Sequence, residues 1–257
     1  MFKKILLTSI LLASFFANVA QEYWMQPEKF NLKPGESVII NLMAGENFIG
    51  EPLVAETNAV QLPTSIDSIA KNENGTISYS FKMEGTELLS LQTRNIFLES
   101  DPGKFNDFLK YAGLDDIVYQ REKKNAQTSP GRENLSIHTK LLLQIGESRD
   151  EDYKKVLGFP AEIIPLQNPY ALKIGEKIRF KILFQGKPVF GARVKVWNRS
   201  NNRTTIQNMY TEKDGTIEAI ISNDGPWMVS VVSMIPSKQE GVDWQSYRAS
   251  LVFGIEK

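Results

Sequence analysis

Between Lys177 and Phe184 the chain alternates, with Ile178, Phe180, Ile182 and Phe184 on one side and Lys177, Arg179 and Lys181 on the other. A period of two cannot line one face of a helix, whose faces repeat every 3.6 residues, so this segment is a strand with a covered side. The same period returns at Ala192–Trp197 and at Thr76–Phe81. Turn chemistry separates such runs. Lys33-Pro34-Gly35-Glu36 precedes Ser37–Leu42, Glu73-Asn74-Gly75 precedes Thr76, Gly186-Lys187-Pro188 follows Phe184, and Asp214-Gly215 sits within Thr211–Thr216. Proline presets φ and glycine supplies positive φ, so these are hairpin positions. Strands at roughly 8- to 20-residue spacing between such turns predict antiparallel sandwiches.

One stretch breaks the pattern. Phe105, Phe108, Leu109 and Ala112 follow helical spacing, with Asp101 placed to cap the start and Gly113 to stop the end. Arg121–Glu133 carries no periodicity and reads as an exposed loop. Ile137–Ile145 is a mostly apolar run that fits a strand or a short helix, and Glu147–Lys155 is a charged link. The predicted fold is therefore mainly β: two antiparallel β-sandwich-like domains with a short helix in the connecting segment. The expected divisions are 1–20, 21–100, 101–157 and 158–257. The last is a sandwich of transthyretin-like or immunoglobulin-like type.

The N-terminus has the pattern of a secretory signal peptide. Lys3 and Lys4 precede an apolar run of about 12 residues, Ile5–Phe16, where a spanning helix needs roughly 20. Ala20 ends a small-residue segment, so the expected mature chain starts near Gln21, exported to a bacterial periplasm with no transmembrane anchor after cleavage. The chain has no cysteine, which excludes disulfides, thiolate metal sites and cysteine nucleophiles together. Lys plus Arg equals Asp plus Glu at 30 each. Losing Lys3 and Lys4 leaves two excess negative charges, and nothing in that balance attracts nucleic acid.

Few residues invite chemistry. His138 is the chain's one histidine, and with no cysteine it needs several carboxylates to make a transition-metal site. Trp24, Trp197, Trp227 and Trp244 fit core positions of a β-protein better than a groove, and Trp227, after Gly225-Pro226, is expected to face inward. Tyr23 and Trp24, directly after the predicted cleavage site, are the candidate ligand-binding pair. Asp115-Asp116 and Asp150-Glu151-Asp152 read as solvated faces. No nucleophile elbow, zinc-protease helix or phosphate-cradling loop is present. No enzymatic activity and no catalytic residue is expected.

Several blocks resemble one protein family. Glu22-Tyr23-Trp24-Met25-Gln26-Pro27, Leu32-Lys33-Pro34-Gly35-Glu36 and Gly45-Glu46-Asn47-Phe48-Ile49-Gly50-Glu51 resemble the start of the family called DUF4198. Leu157–Leu166 with Asn168-Pro169-Tyr170 resembles its central block, and Asp214-Gly215, Gly225-Pro226-Trp227 and Trp244-Gln245-Ser246 its C-terminal one. The resemblance implies a periplasmic protein, some members being associated with nickel or cobalt uptake. It implies a partner such as a metal-uptake membrane component or another cell-envelope protein. Members often begin the mature chain with His, where this chain has Gln21. The metal donors left are Glu22 and His138, which with a weakly bound nickel or cobalt ion make the first functional expectation. The alternative is a structural or interaction module that binds a protein partner or a glycan.

Overall fold

The structure is a computed structural model that describes residues 22–53, 60–61, 66–71 and 77–256. The predicted leader, Gln21 and the turn at 73–75 lie outside the described residues. In chain order the strands begin with β1 (Glu22–Pro27), β2 (Asn31–Leu32), β3 (Ser37–Glu46), β4 (Ile49–Pro52), β5 (Val60–Gln61) and β6 (Ile66–Lys71). They continue with β7 (Ile77–Phe81), β8 (Gly85–Gln92), β9 (Ile96–Ser100), β10 (Gly131–Ile145), β11 (Ala161–Pro165) and β12 (Lys177–Phe184). The last are β13 (Lys187–Pro188), β14 (Arg193–Ser200), β15 (Arg203–Tyr210), β16 (Thr216–Ile220), β17 (Gly225–Pro236) and β18 (Trp244–Ile255). Two helices, α1 (Pro102–Ala112) and α2 (Asp115–Lys123), separate β9 from β10. The protein is mainly β and sandwich-like, as its alternating runs predict.

Its centre is a nine-stranded sheet that runs β15-β14-β17-β18-β10-β8-β5, with β2 and β9 also on β10. Most pairs are antiparallel, but β10 runs parallel to β18 from Glu133↔Trp244 to Leu141↔Val252. The sheet is covered on both faces. Trp227, Val229 and Val231 of β17 share a core with Ile163 of β11, Phe180 of β12 and Ile217 of β16. Met228, between them, belongs to a second core with Trp24, Phe48, Phe81 and Leu143. Successive residues of a strand point to opposite faces, so these are two cores on two sides of one sheet. All four tryptophans are buried, and Trp227 is 0 % exposed, as expected from sequence.

This two-sided cover explains the apolar run at Ile137–Ile145. It shows no alternation because β10 has a buried partner surface on each face. The run resolves as strand, not helix.

The connecting segment departs from expectation at one more place. Arg121–Glu133 reads as a loop, yet its start closes α2 and its end opens β10. Only Ile117 and Arg121 of α2 are buried, so the helix carries too narrow an apolar stripe to be legible. Its Asp115 and Asp116 sit in the first turn and its Arg121 and Lys123 in the last, which suits the helix dipole. α1 starts and stops where predicted. Asp101 Oδ1 accepts from the backbone N–H groups of Gly103 and Lys104, and Gly113 closes the end at φ 73°, a left-handed conformation natural to glycine. No helix among the described residues is long and apolar enough to cross a membrane.

Candidate functional site

The first residues of β1 lead into the polar interior. β1 pairs antiparallel with β3, Glu22 opposite Gly45, and is buried from its first residue. Glu22 comes against β14, where Arg193, Lys195 and Trp197 share one face of the strand. Lys195 Nζ lies 3.2 Å from Glu22 Oε1, and the Tyr111 hydroxyl of α1 donates to the same oxygen at 3.1 Å. The ammonium also sits 3.0 Å from the centre of the Tyr111 ring. Arg193 Nη1 donates to the carbonyls of Lys110 and Tyr111 at 3.0 and 3.3 Å, in the last turn of α1, where carbonyls lack a full set of helical partners. Helix, first strand and β14 are thus fastened to one another through charge.

Glu22, Tyr23, Tyr111, Arg193, Lys195 and Arg248 line a cavity of about 20 Å³. That is room for one water and too little for an organic ligand. Glu22 Oε2 has no hydrogen-bond partner there. Burial pushes the Glu22 carboxyl up, against the pull of Lys195. Burial also pushes the Lys195 ammonium down to about 8, against the pull of Glu22. Desolvation outweighs pairing on both sides, as expected when two charges leave water together.

Two further buried ion pairs involve β10. Glu133 of β10 meets Arg248 of β18 at 2.9 Å. Lys140 of β10 meets Glu162 of β11 at 2.5 Å, and Glu162 also accepts from the N–H groups of Leu157 and Gly158. Such pairs add little net stability, but breaking one leaves a charge stranded in the interior. The first ties two neighbouring strands of the nine-stranded sheet, and the second ties that sheet to the four-stranded one.

His138 is 1 % exposed and stacks with Phe159 and Tyr247, at ring separations of 5.5 and 6.0 Å. Burial pushes its pKa down to about 4, so the ring is neutral near pH 7. Nε2 lies 3.1 Å from Ser136 Oγ, while Nδ1 is buried without a partner. A proton on Nδ1 would be a stranded donor, which favours the tautomer with the proton on Nε2. Ser136 then accepts from His138 and donates weakly to the Thr93 carbonyl at 3.4 Å. This is the reverse of an activated serine, in which the imidazole accepts the hydroxyl proton. Ser136 and Tyr247 reach an open cleft of about 480 Å³, where the amides of Asn95 and Gln245 exchange hydrogen bonds at 3.3 and 3.1 Å.

The residues singled out from sequence therefore part company. Glu22 and Tyr23 share the small cavity. Trp24, 1 % exposed, packs edge-on against Phe48 in the second core. His138 lies on β10 among aromatic rings. No group of three His, Cys, Asp or Glu side chains among the described residues is placed to hold an ion. Sequence reading missed Lys195, Tyr111 and Arg248. Lys195 alternates with Val194 and Val196 and looks like the solvent side of β14, and only the second covering layer makes it interior. Ser136-x-His138 on one strand was the available signal for the Ser–His contact, since residues two apart share a face.

Over residues 19–235 the sequence matches the protein family described as Domain of unknown function (DUF4198). No curated protein matches the chain.

Proposed function

The chain belongs to the DUF4198 family, and from that premise we propose that it is an exported, non-catalytic binding or accessory module of a bacterial cell envelope. One observation carries the reading. The side chains that chemistry would need are spent inside the sheets: Glu22 on Lys195 and Tyr111, Glu133 on Arg248, Glu162 on Lys140, and His138 on Ser136. What remains open to solvent are clefts lined by amides, hydroxyls and scattered charges, surfaces that suit recognition of a partner or small ligand.

Transition-metal handling is the second reading, and Glu22 Oε2, unpartnered at the start of β1, is the observation in its favour. The donor set argues against a resident nickel or cobalt centre. Nickel and copper favour imidazole or thiolate donors, and the single imidazole lies under two aromatic rings. Any such binding is weak and depends on Glu22 or His138. Calorimetric titration of the mature protein with nickel, cobalt, copper and zinc, beside Glu22→Gln and His138→Ala, tests this. Tight binding that survives both substitutions refutes the donor placement and returns metal handling to first place.

A further inference from the structure

Arg121 is a buried charge that the protein leaves half answered. It is 3 % exposed, at the end of α2, with its guanidinium 5.0 Å over the Phe105 ring. Nε donates to Asn106 Oδ1 at 3.0 Å, and Nη2 donates to the carbonyls of Ala126 and Ser129, both at 2.7 Å. Those bonds fix the plane of the group, and every acceptor in them is neutral. Among the described residues Nη1 has no protein acceptor, and Arg121 forms no ion pair. Asp243, the carboxylate whose field reaches it, is already gripped by Arg132 through Nε and Nη2 at 3.1 and 3.2 Å. Among the described residues the other buried cations, Lys140, Lys195 and Arg248, each meet a carboxylate. An interior arginine without one is costly.

Arg121 faces a cleft of about 520 Å³ between the turn after α2 and the starts of β10 and β18. Lys124 stands at its rim, with its ammonium 5.9 Å over the Trp244 ring and no carboxylate on it. Trp244 is 3 % exposed, and its indole N–H is also without a partner. Arg132 opposes Glu99 in the β9–β10 register and holds Asp243, so those three groups together carry one negative charge. With Arg121 and Lys124 added, the lining keeps a net single positive charge, concentrated on those two side chains. Two carboxylates on the far wall disfavour a multiply charged anion.

We propose that this cleft binds a small organic carboxylate. The carboxylate is received by Arg121 Nη1 and Lys124 Nζ, and its carbon skeleton lies against Trp244, Ala126 and Pro130. The planar guanidinium, already immobilised, suits a carboxylate and loses little entropy on binding. Movement of Lys124 toward the anion uncovers the indole beneath it. The carboxylate belongs either to a free organic acid or to a peptide C-terminus. The site owes nothing to the metal question, since it contains neither Glu22 nor His138.

The test is calorimetry and amide–indole NMR on the full chain, with benzoate against its neutral counterpart benzamide. A short peptide ending in phenylalanine, with a free or an amidated C-terminus, is titrated in parallel. Benzoate or the free peptide should bind while its neutral form does not, and should shift the Trp244 indole resonance, identified through Trp244→Phe. Preference for benzoate points to a free acid, and preference for the peptide to a chain terminus. Lys124→Gln lies at an exposed position, so it should fold normally and weaken binding about tenfold. Equal binding of charged and neutral probes, unchanged affinity in Lys124→Gln, or no response to any carboxylate at millimolar concentration would overturn the proposal.

Discussion

His138 and Lys195 carry the sharpest consequences at the scale of a residue. The folded His138 ring resists protonation down to about pH 4, while an unfolded histidine takes a proton near 6.5. Between those values the unfolded chain binds more protons, so acidification favours unfolding there and stability is complete only above about 6.5. The full difference is on the order of 3 kcal/mol for so buried a group. The melting temperature should therefore drop more steeply from pH 7 to pH 5 in the wild type than in His138→Phe, and parallel curves would show that the ring does not govern the acid limb. Lys195→Met strands the Glu22 carboxylate under α1, and breaking a buried pair typically costs about 3–5 kcal/mol. Adding Glu22→Gln should recover much of that loss in denaturant unfolding, because the double change removes both charges. A Lys195→Met chain as stable as the parent would mean that water reaches Glu22 freely.

Among the elements, α1 is the one whose attachment is specific enough to break with a single atom. Its Phe105 is fully buried against the first residue of β10, and a Cβ built on Gly131 would lie 2.1 to 2.4 Å from the Phe105 ring. Glycine is needed at that position for close approach and not for an unusual φ. Gly131→Ala should destabilise the protein by about 1–3 kcal/mol, the usual cost of overpacking. Phe105→Leu in the same chain should return part of it, and failure of that rescue would place the damage in the strand itself. The β14–β15 hairpin shows a different local logic. Asn201 and Asn202 both adopt left-handed φ, 50° and 58°, which matches the two-residue turn that suits the twist of paired strands. Its second strand is largely exposed and polar, so no alternating run marks it beforehand.

The whole molecule is organised around strands that have no solvent side. β10, β17 and β18 lie inside the nine-stranded sheet with apolar cores on both faces. Their amides should be the slowest to exchange with deuterium, since only large-scale opening exposes them. β9, with Ile96 and Phe97 exposed, and β15 at the sheet's end should exchange much earlier. Early exchange in the middle of β10 would contradict the two-sided packing. Sequence distance gives no hint of this centre, because β10 meets β8 before it and β18 far after it.

Wherever neighbouring residues decide the outcome, the amino-acid order was sufficient. Alternation at 177–184 gave a strand with those bounds, Asp101 and Gly113 gave both ends of α1, and Gly225-Pro226 before Trp227 gave a buried indole. Those features rest on side-chain period, capping and turn chemistry, all set within a few residues. The polar interior rests on something else. Glu22 is 173 positions from Lys195, and Glu133 is 115 from Arg248. A lysine between two valines looks the same on a half-exposed strand as on a fully covered one. Only the layering of another sheet and a helix over that face turned a solvent position into a buried pair, and only packing with Phe159 and Tyr247 on the opposite face took His138 out of reach of water.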